Sequence, residues 1–420
     1  MLKTIPLLPG ITLRCFTDNR FKHGCLSVQL VRQMCREEAA LNALLPAVLL
    51  RGTVNAPDLR DITLRLDDLY GASIGALVRR VGDRQTTGLY CSFIDDRFAL
   101  EGDQILEPMI GFLKEMLFQP VLEEGVFCRD YVEGEKVNLI SAIDSQLNNK
   151  QAWANAQMLR LMCLEDSFGI PRLGEREQVA AITPDTLYAH YQKILEKSPV
   201  ELFYVGSGEP NRVAELLKPM FAGLPGMRSP LPEQTPFHLC PGSDRTQAME
   251  VSQGKLAMGF VTPITVADPR FAAMQMCNMI FGGGMTGKLF MQLREKLSLC
   301  YDISSSYHGS KGIVSVAAGI DPENVEKVRG LVQQALADCA AGNITQAELE
   351  AARQALLSSL RGVHDSPGAI EGYYATTALS AREQTPEAYA DDLRAVTAEQ
   401  VAEAAATVSL HTVYFLKGVQ

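Results

Sequence analysis

The order of landmarks in this chain repeats once, and that repeat constrains the fold more than any single motif. A strand-like stretch at 24–31, GCLSVQLV, has a counterpart at 254–261, GKLAMGFV. Each is followed by a helical run (37–50 and 269–281) and then by a glycine turn, at Gly52 and at Gly282, Gly283 and Gly284. A second helix comes next, 58–69 and 287–297, ending near Tyr70 and Tyr301. Strand pairs follow, 75–81 with 86–94 and 302–308 with 312–320, and a third helix closes each set at 105–117 and 324–340. Corresponding points lie roughly 230 residues apart, and self-similarity at a near-constant offset is the mark of a duplicated unit. The expected fold is α+β: two homologous domains, each a mainly antiparallel sheet with helices packed on one face. Two unrelated α+β domains whose landmarks coincide are the alternative.

The halves are separated by 223–242, GLPGMRSPLPEQTPFHLCPG, which holds Pro225, Pro230, Pro232, Pro236 and Pro241. That much proline continues neither a helix nor a central strand, so an extended, semi-rigid linker is expected. The expected division is therefore 1–222, linker 223–242, and 243–420. A long helix over 126–162, broken near Asn148, extends the first half, and 345–363 is its counterpart. The stretches 200–207 and 412–418 are expected to be the last strand of each half.

Composition narrows the function. Hydrophobic residues make up 47% and charged residues 21%, enough to bury a large core, and the net charge of −10 disfavours nucleic acid and anionic membranes as partners. The N-terminal stretch lacks the pattern of a signal peptide, and no apolar run approaches the roughly 20 residues of a spanning helix. Ten scattered cysteines without a Cys-x-x-Cys pair read as reduced thiols, so a cytoplasmic location is expected.

Candidate sites are few. Six histidines are spread along the chain, none within ten residues of another, and no local metal motif exists. They read as unrelated surface or core residues. The segment from Gly282 to Lys288 comes close to a phosphate-binding loop. Leu289 stands where Ser or Thr would hold the metal, and a helix rather than a strand precedes it, which argues against nucleotide binding. In and just before LREKLSLCYDISS, Leu289, Phe290, Leu293 and Leu297 are expected to form an apolar helical face with Arg294 off it, and Tyr301 enters a strand. A guanidinium and a phenol at one sheet edge suit a peptide carbonyl or the oxyanion it becomes. An ordinary surface arginine and a half-buried tyrosine fit the same spacing.

The duplicated halves, the linker and FGGGMTGKLFMQLREKLSLCYDISSSY together resemble the insulinase/pitrilysin-type zinc peptidases, closest to small bacterial members related to mitochondrial processing peptidase. The resemblance spans nearly the whole chain. Active members carry His-x-x-Glu-His shortly before a Lys/Arg-Gly-Thr, with two histidines binding zinc and the glutamate activating water. Aligned on Arg51, Gly52 and Thr53, those positions are Ala43, Pro46 and Ala47, none of which binds metal or moves a proton. The family's third ligand corresponds to Glu133 or Glu135. Arg294 and Tyr301 match a pair that helps hold substrate in this family, with the glycine turn Gly282, Gly283 and Gly284 as a substrate-side loop. In some bacterial heterodimers one subunit carries zinc and the other carries this pair.

The resemblance therefore implies a non-catalytic, substrate-holding subunit whose halves form one wall of a clam-like chamber. No cofactor is expected in this chain, and a homologous partner bearing His-x-x-Glu-His would supply zinc and the general base for peptide cleavage. No peptidase activity is expected from the chain alone, and a homodimer without that partner is left open as an alternative to the heterodimer. The rival readings are a peptide-binding or scaffold protein that cuts nothing, and a self-sufficient peptidase using scattered ligands.

Overall fold

The computed structural model describes residues 2–224, 228–238 and 240–418; Pro225 of the proline-rich segment lies outside them. The chain forms two compact units that are not contiguous in sequence. The first gathers Met1–Asp144, Ile170–Glu233 and His364–Leu379, and the second Ser145–Gly169, Gln234–Val363 and Ser380–Gln420.

The first unit contains β1 (Leu2–Leu8), β2 (Ile11–Thr17), β3 (His23–Gln33), α1 (Arg36–Leu49), α2 (Leu59–Asp68), β4 (Ser73–Val81), β5 (Arg84–Ile94) and α3 (Leu106–Phe118). The short hairpin β6 (Leu122–Glu123) and β7 (Val126–Phe127) leads into α4 (Arg129–Ser145). The chain then runs through α5 (Lys150–Met162), which belongs to the second unit, and returns with α6 (Arg176–Ala181), α7 (Pro184–Lys197), β8 (Val200–Gly206) and α8 (Pro210–Leu217). The second unit continues with β9 (Asp244–Met249), β10 (Gly254–Val261), α9 (Phe271–Asn278), β11 (Cys300–His308), β12 (Ile313–Ile320), α10 (Val325–Ala340) and α11 (Gln346–Gly362). After α12 (Pro367–Leu379), which joins the first unit, come α13 (Pro386–Ala395), α14 (Ala398–Ala406) and β13 (Ser409–Gly418).

The two sheets share one plan. The first runs β4-β5-β3-β8-β2-β1 and the second β11-β12-β10-β13-β9. In both, an edge hairpin is followed by a central antiparallel strand, then by the last strand of the half, which pairs parallel to its outer neighbour: β8 with β2, β13 with β9. All other pairings in the two sheets are antiparallel, and the matching order extends the sequence repeat to topology.

Strand alternation shows how the faces are covered, because successive side chains point to opposite sides. Leu26 and Val28 of β3 and Leu202 and Tyr204 of β8 face the main helical layer with α1, α3 and α7. Their neighbours Cys25, Phe203 and Val205 face the other way, onto Ile370, Tyr374 and Ala375 of α12. The second sheet repeats this: Leu256, Met258, Val413 and Phe415 face α9, α10 and α14, while Ala257, Tyr414 and Leu416 meet Ala154, Met158 and Met162 of α5. The expected helical layer on one face is present, and a single further helix, drawn from the other half of the sequence, covers the second face.

α12 is also held by a buried polar anchor. Glu371 accepts hydrogen bonds from Ser27 Oγ (2.6 Å) and Gln29 Nε2 (3.0 Å), and Arg79 grips both its oxygens at 2.9 and 2.7 Å. The long helix expected over 126–162 breaks where anticipated, since Asn149 caps α5 by accepting from the Ala152 N–H. The described residues of 223–242 form neither helix nor strand. The Ser229 N–H bonds to the Lys197 carbonyl in the first unit, and the Phe237 N–H to the Lys311 carbonyl in the second. Among the described residues no helix is long and apolar enough to cross a membrane.

Candidate functional site

The helix that carries zinc ligands in active peptidases of the type the sequence resembles is α1. Ala43 and Pro46 are buried in it and Ala47 is half-buried. Pro46 lacks the N–H that would bond the Asn42 carbonyl, a loss that costs about 3 kcal/mol when nothing replaces it. Here the Thr87 hydroxyl donates to that carbonyl at 2.7 Å. The Asn42 side chain donates to Gln85 Oε1 (2.8 Å), which leaves its own oxygen to accept from His190 Nε2 at 2.8 Å. Burial pushes the His190 imidazole down to about 4, against the upward pull of Glu38. His190 is thus a neutral core histidine, bound to the helix side chain next to Ala43.

The Arg-Gly-Thr that follows α1 has structural work of its own. A Cβ on Gly52 would lie 2.2 Å from the Pro57 carbonyl oxygen, so only glycine fits. The buried Thr53 donates to Glu115, which Arg65 also holds at 2.8 Å, and Thr53 Oγ1 accepts from the Ala56 N–H at 3.0 Å. Arg51 pairs with Glu135 at 3.2 Å and lies over the Tyr131 ring. Glu133 is more exposed and pairs with Lys136 at 3.0 Å. Glu135 therefore faces the end of α1, with its charge engaged by Arg51. Zinc does not fit these residues: Ala43, Pro46 and Ala47 offer no donor atom. Among the described residues no group of three or more His, Cys, Asp or Glu is placed to hold a metal ion.

The second candidate lies wholly within the second unit, in the segment from the glycine turn to Tyr301. Three departures from regular backbone follow one another there. The residues Phe290–Lys296 form a wide π-helical turn, with the Leu297 N–H reaching back five residues to the Gln292 carbonyl at 3.1 Å. Ser298 adopts φ +49°, in the left-handed region, and the Leu299 N–H closes onto the Leu293 carbonyl at 2.8 Å. The pairing of β11 with β12 then slips between Cys300 and Asp302, leaving Tyr301 as the extra residue of a bulge. π-turns, left-handed non-glycine residues and bulges gather at functional sites, where they aim side chains that regular elements cannot.

The segment stands on a firm base. Leu289 and Leu293 are fully buried, and Lys288, only 7% exposed, pairs with Glu348 at 2.7 Å. Glu348 is itself tied to the start of α11 through Thr345. Gly282 and Gly283, expected in a turn, end a π-helical segment, Met279–Gly283, and a Cβ on Gly287 would lie 3.0 Å from the Gly282 Cα, so the chain closes there backbone against backbone. Lys288, read in the sequence as part of a failed phosphate loop, is thus an anchor of the segment.

Arg294 and Tyr301 differ from most polar groups around them. The Arg294 guanidinium carbon sits 4.7 Å from the centre of the Phe290 ring, and its Nε lies 3.8 Å from Glu295, beyond hydrogen-bond reach. Tyr301 is 66% exposed. Among the described residues, neither the Arg294 donors nor the Tyr301 phenol has a hydrogen-bond partner, and no hydrogen bond joins the two. Tyr70, the counterpart in the first unit, has spent its phenol: it donates to Asp103 at 2.6 Å and accepts from the Leu100 N–H.

Sequence reasoning also placed Leu297 on the buried face, whereas it is 42% exposed. The π-turn shifts the helical phase before Leu297 is reached, which a 3.6-residue period does not anticipate. Phe290 as a seat for Arg294 was missed as well, although its spacing of four residues from Arg294 was the available signal. Together with Met285 and Met291, Leu297 and Tyr301 are the exposed large hydrophobics among the described residues of 234–363 and 380–418. All four fall within one segment around Arg294.

Comparison with known proteins agrees with these features. A family model described as "Peptidase M16 inactive domain" matches residues 181–356. The chain is 27% identical over 411 residues to the probable inactive metalloprotease YmfF of Bacillus subtilis, covering 98% of this chain and 96% of that protein. It also superimposes on the crystal structure of a conserved protein from Enterococcus faecalis V583 with a TM-score of 0.91, at 28% identity and over 100% and 99% of the two chains. A Pseudomonas fluorescens structure described as a peptidase M16 inactive domain shares the fold, with a TM-score of 0.81, 19% identity and coverage of 100% and 98%. The chain is thus similar over nearly its whole length to a probable inactive metalloprotease and, over residues 181–356, to the peptidase M16 inactive domain, in keeping with its duplicated topology.

Proposed function

We propose that this chain is a non-catalytic, substrate-holding subunit of a heterodimeric zinc peptidase. The observation that carries the reading is the state of Arg294: a charged guanidinium fixed in place with all its donors unspent, in a segment built from backbone irregularities. Arg294 would donate to a peptide carbonyl and stabilise negative charge developing on its oxygen, with Tyr301 donating alongside. The exposed Met285, Met291 and Leu297 would pack on the peptide's apolar side chains, methionine being well suited to varied shapes.

The replacement of the zinc-motif positions by Ala43, Pro46 and Ala47 supports inactivity of the chain alone, as the name of the B. subtilis relative also suggests. A homologous partner bearing His-x-x-Glu-His would provide the metal and the general base. All ten cysteines are free thiols, which supports a reducing, cytoplasmic setting. The test is cleavage of a quenched-fluorescent peptide library by the chain alone and mixed with a co-encoded His-x-x-Glu-His homologue. The expected result is silence alone and turnover in the mixture, reduced a hundred- to thousandfold by Arg294→Ala, which corresponds to about 3–4 kcal/mol. Undiminished turnover with Arg294→Ala would remove Arg294 from the mechanism. Peptide binding without turnover in any mixture would establish the scaffold role instead.

A further inference from the structure

Several arginines elsewhere in the second unit spend their donors on acids. Arg270 holds Asp268 at 2.8 Å, Arg329 holds Glu326 at 3.0 Å, and Arg382 holds Asp392 and Gln384. Arg294 is seated in a different way. Residues four apart share one side of a helix, and helical side chains lean toward the N-terminus, so Arg294 folds back over Phe290. At 4.7 Å the guanidinium lies within cation–π range of the ring. The chemistry of the seat matters. A carboxylate would fix the guanidinium by consuming its in-plane N–H donors and cancelling its charge. An aromatic face attracts the charge from below and leaves the planar fork of donors free. The seat itself is held by the buried Leu289 and Leu293 on either side and by the Lys288–Glu348 pair two residues earlier.

We propose that Phe290 is a positioning residue for Arg294, an aromatic shelf that presents the guanidinium with its hydrogen-bond donors free, Glu295 standing 3.8 Å away. The proposal rests on the peptide-holding reading above.

The test uses the full-length chain and three variants, Phe290→Leu, Phe290→Tyr and Arg294→Ala. Two readouts are taken. The first needs no ligand: the Arg294 side-chain Nε–H resonance in an arginine-labelled sample, which the ring current of residue 290 displaces. The second is the anisotropy of a fluorescein-labelled pool of random dodecapeptides. Leucine preserves apolar bulk, whereas tyrosine preserves the ring face. Phe290→Leu is expected to abolish the displacement and weaken pool binding about 2- to 5-fold, the range for an exposed cation–π contact. Phe290→Tyr is expected to keep both, and all three variants to keep the wild-type thermal midpoint. A Leu variant that binds like wild type while Arg294→Ala binds weakly would overturn the shelf and leave the peptide-holding reading standing. So would a Tyr variant as weak as the Leu variant. Unchanged binding with Arg294→Ala would overturn the reading itself, and the shelf's role with it.

Discussion

Replacing Arg79 by alanine should destabilise the first unit more than replacing Glu371 by leucine, and the double substitution should be milder than Arg79→Ala alone. The Glu371 side chain is entirely buried, and Arg79, about one-third exposed, supplies its only cationic contact among the described residues. Arg79→Ala strands a buried carboxylate, which typically costs about 3–5 kcal/mol. Glu371→Leu removes that charge and leaves Arg79 free to turn to water. It deprives the buried Ser27 and Gln29 of an acceptor, a loss of about 1–3 kcal/mol. In the double variant no charge is stranded, so the two substitutions should couple favourably. Urea denaturation of the four proteins measures the cycle, and proteolysis within α12 reports where the loss falls, since Glu371 anchors that helix to β3 and β4. Equal destabilisation by Arg79→Ala and by the double variant would refute the argument, because the stranded carboxylate would then contribute nothing.

Three further outcomes follow from the structure. His190 is held at about 4 against an ordinary 6.5, so the unfolded chain binds the extra proton first; its contribution is complete above pH 6.5 and lost as pH falls toward 4, about 3 kcal/mol in all, and the stability–pH curve of His190→Gln should be flatter over that window. Thr87→Val removes the donor to the Asn42 carbonyl and should cost about 1–3 kcal/mol in denaturant, whereas the same change combined with Pro46→Ala, which restores a backbone N–H, should cost markedly less. Arg294→Ala should shift stability by no more than about 1 kcal/mol, since the side chain contacts only the Phe290 face and the neighbourhood of Glu295; a larger loss would mean the residue is part of the fold.

The repeat, the α+β class and most element positions were legible because strand alternation and helical periodicity are local. α1, α3, α10 and α11 lie within a residue or two of expectation. The break before α5 was legible because Asn149 is a cap, a property of a few consecutive residues. The replacement of the zinc-motif positions by Ala43, Pro46 and Ala47 was equally plain, being a matter of which side chains are present. What periodicity could not supply was the partner of each helix. Nothing in the run containing Met158 and Met162 says that its apolar face meets Ala257 and Tyr414, nearly a hundred residues or more downstream. The aim of Arg294 was hidden for a related reason: a π-turn and a one-residue bulge change direction without a distinctive composition, and both depend on contacts such as Lys288 with Glu348.

The two helices that cover the second face of each sheet carry a message about ancestry. α5 is encoded in the first half of the chain and packs in the second unit, and α12 does the reverse. A single half-length copy with this plan would have one bare sheet face and one helix without a sheet to cover. Two such copies trading those helices would satisfy both needs at once, which is the arrangement of a domain-swapped dimer. In these terms the present chain is a swapped dimer made permanent by fusion. A cut between 230 and 234 should leave its two pieces bound to each other, each completing the other's sheet.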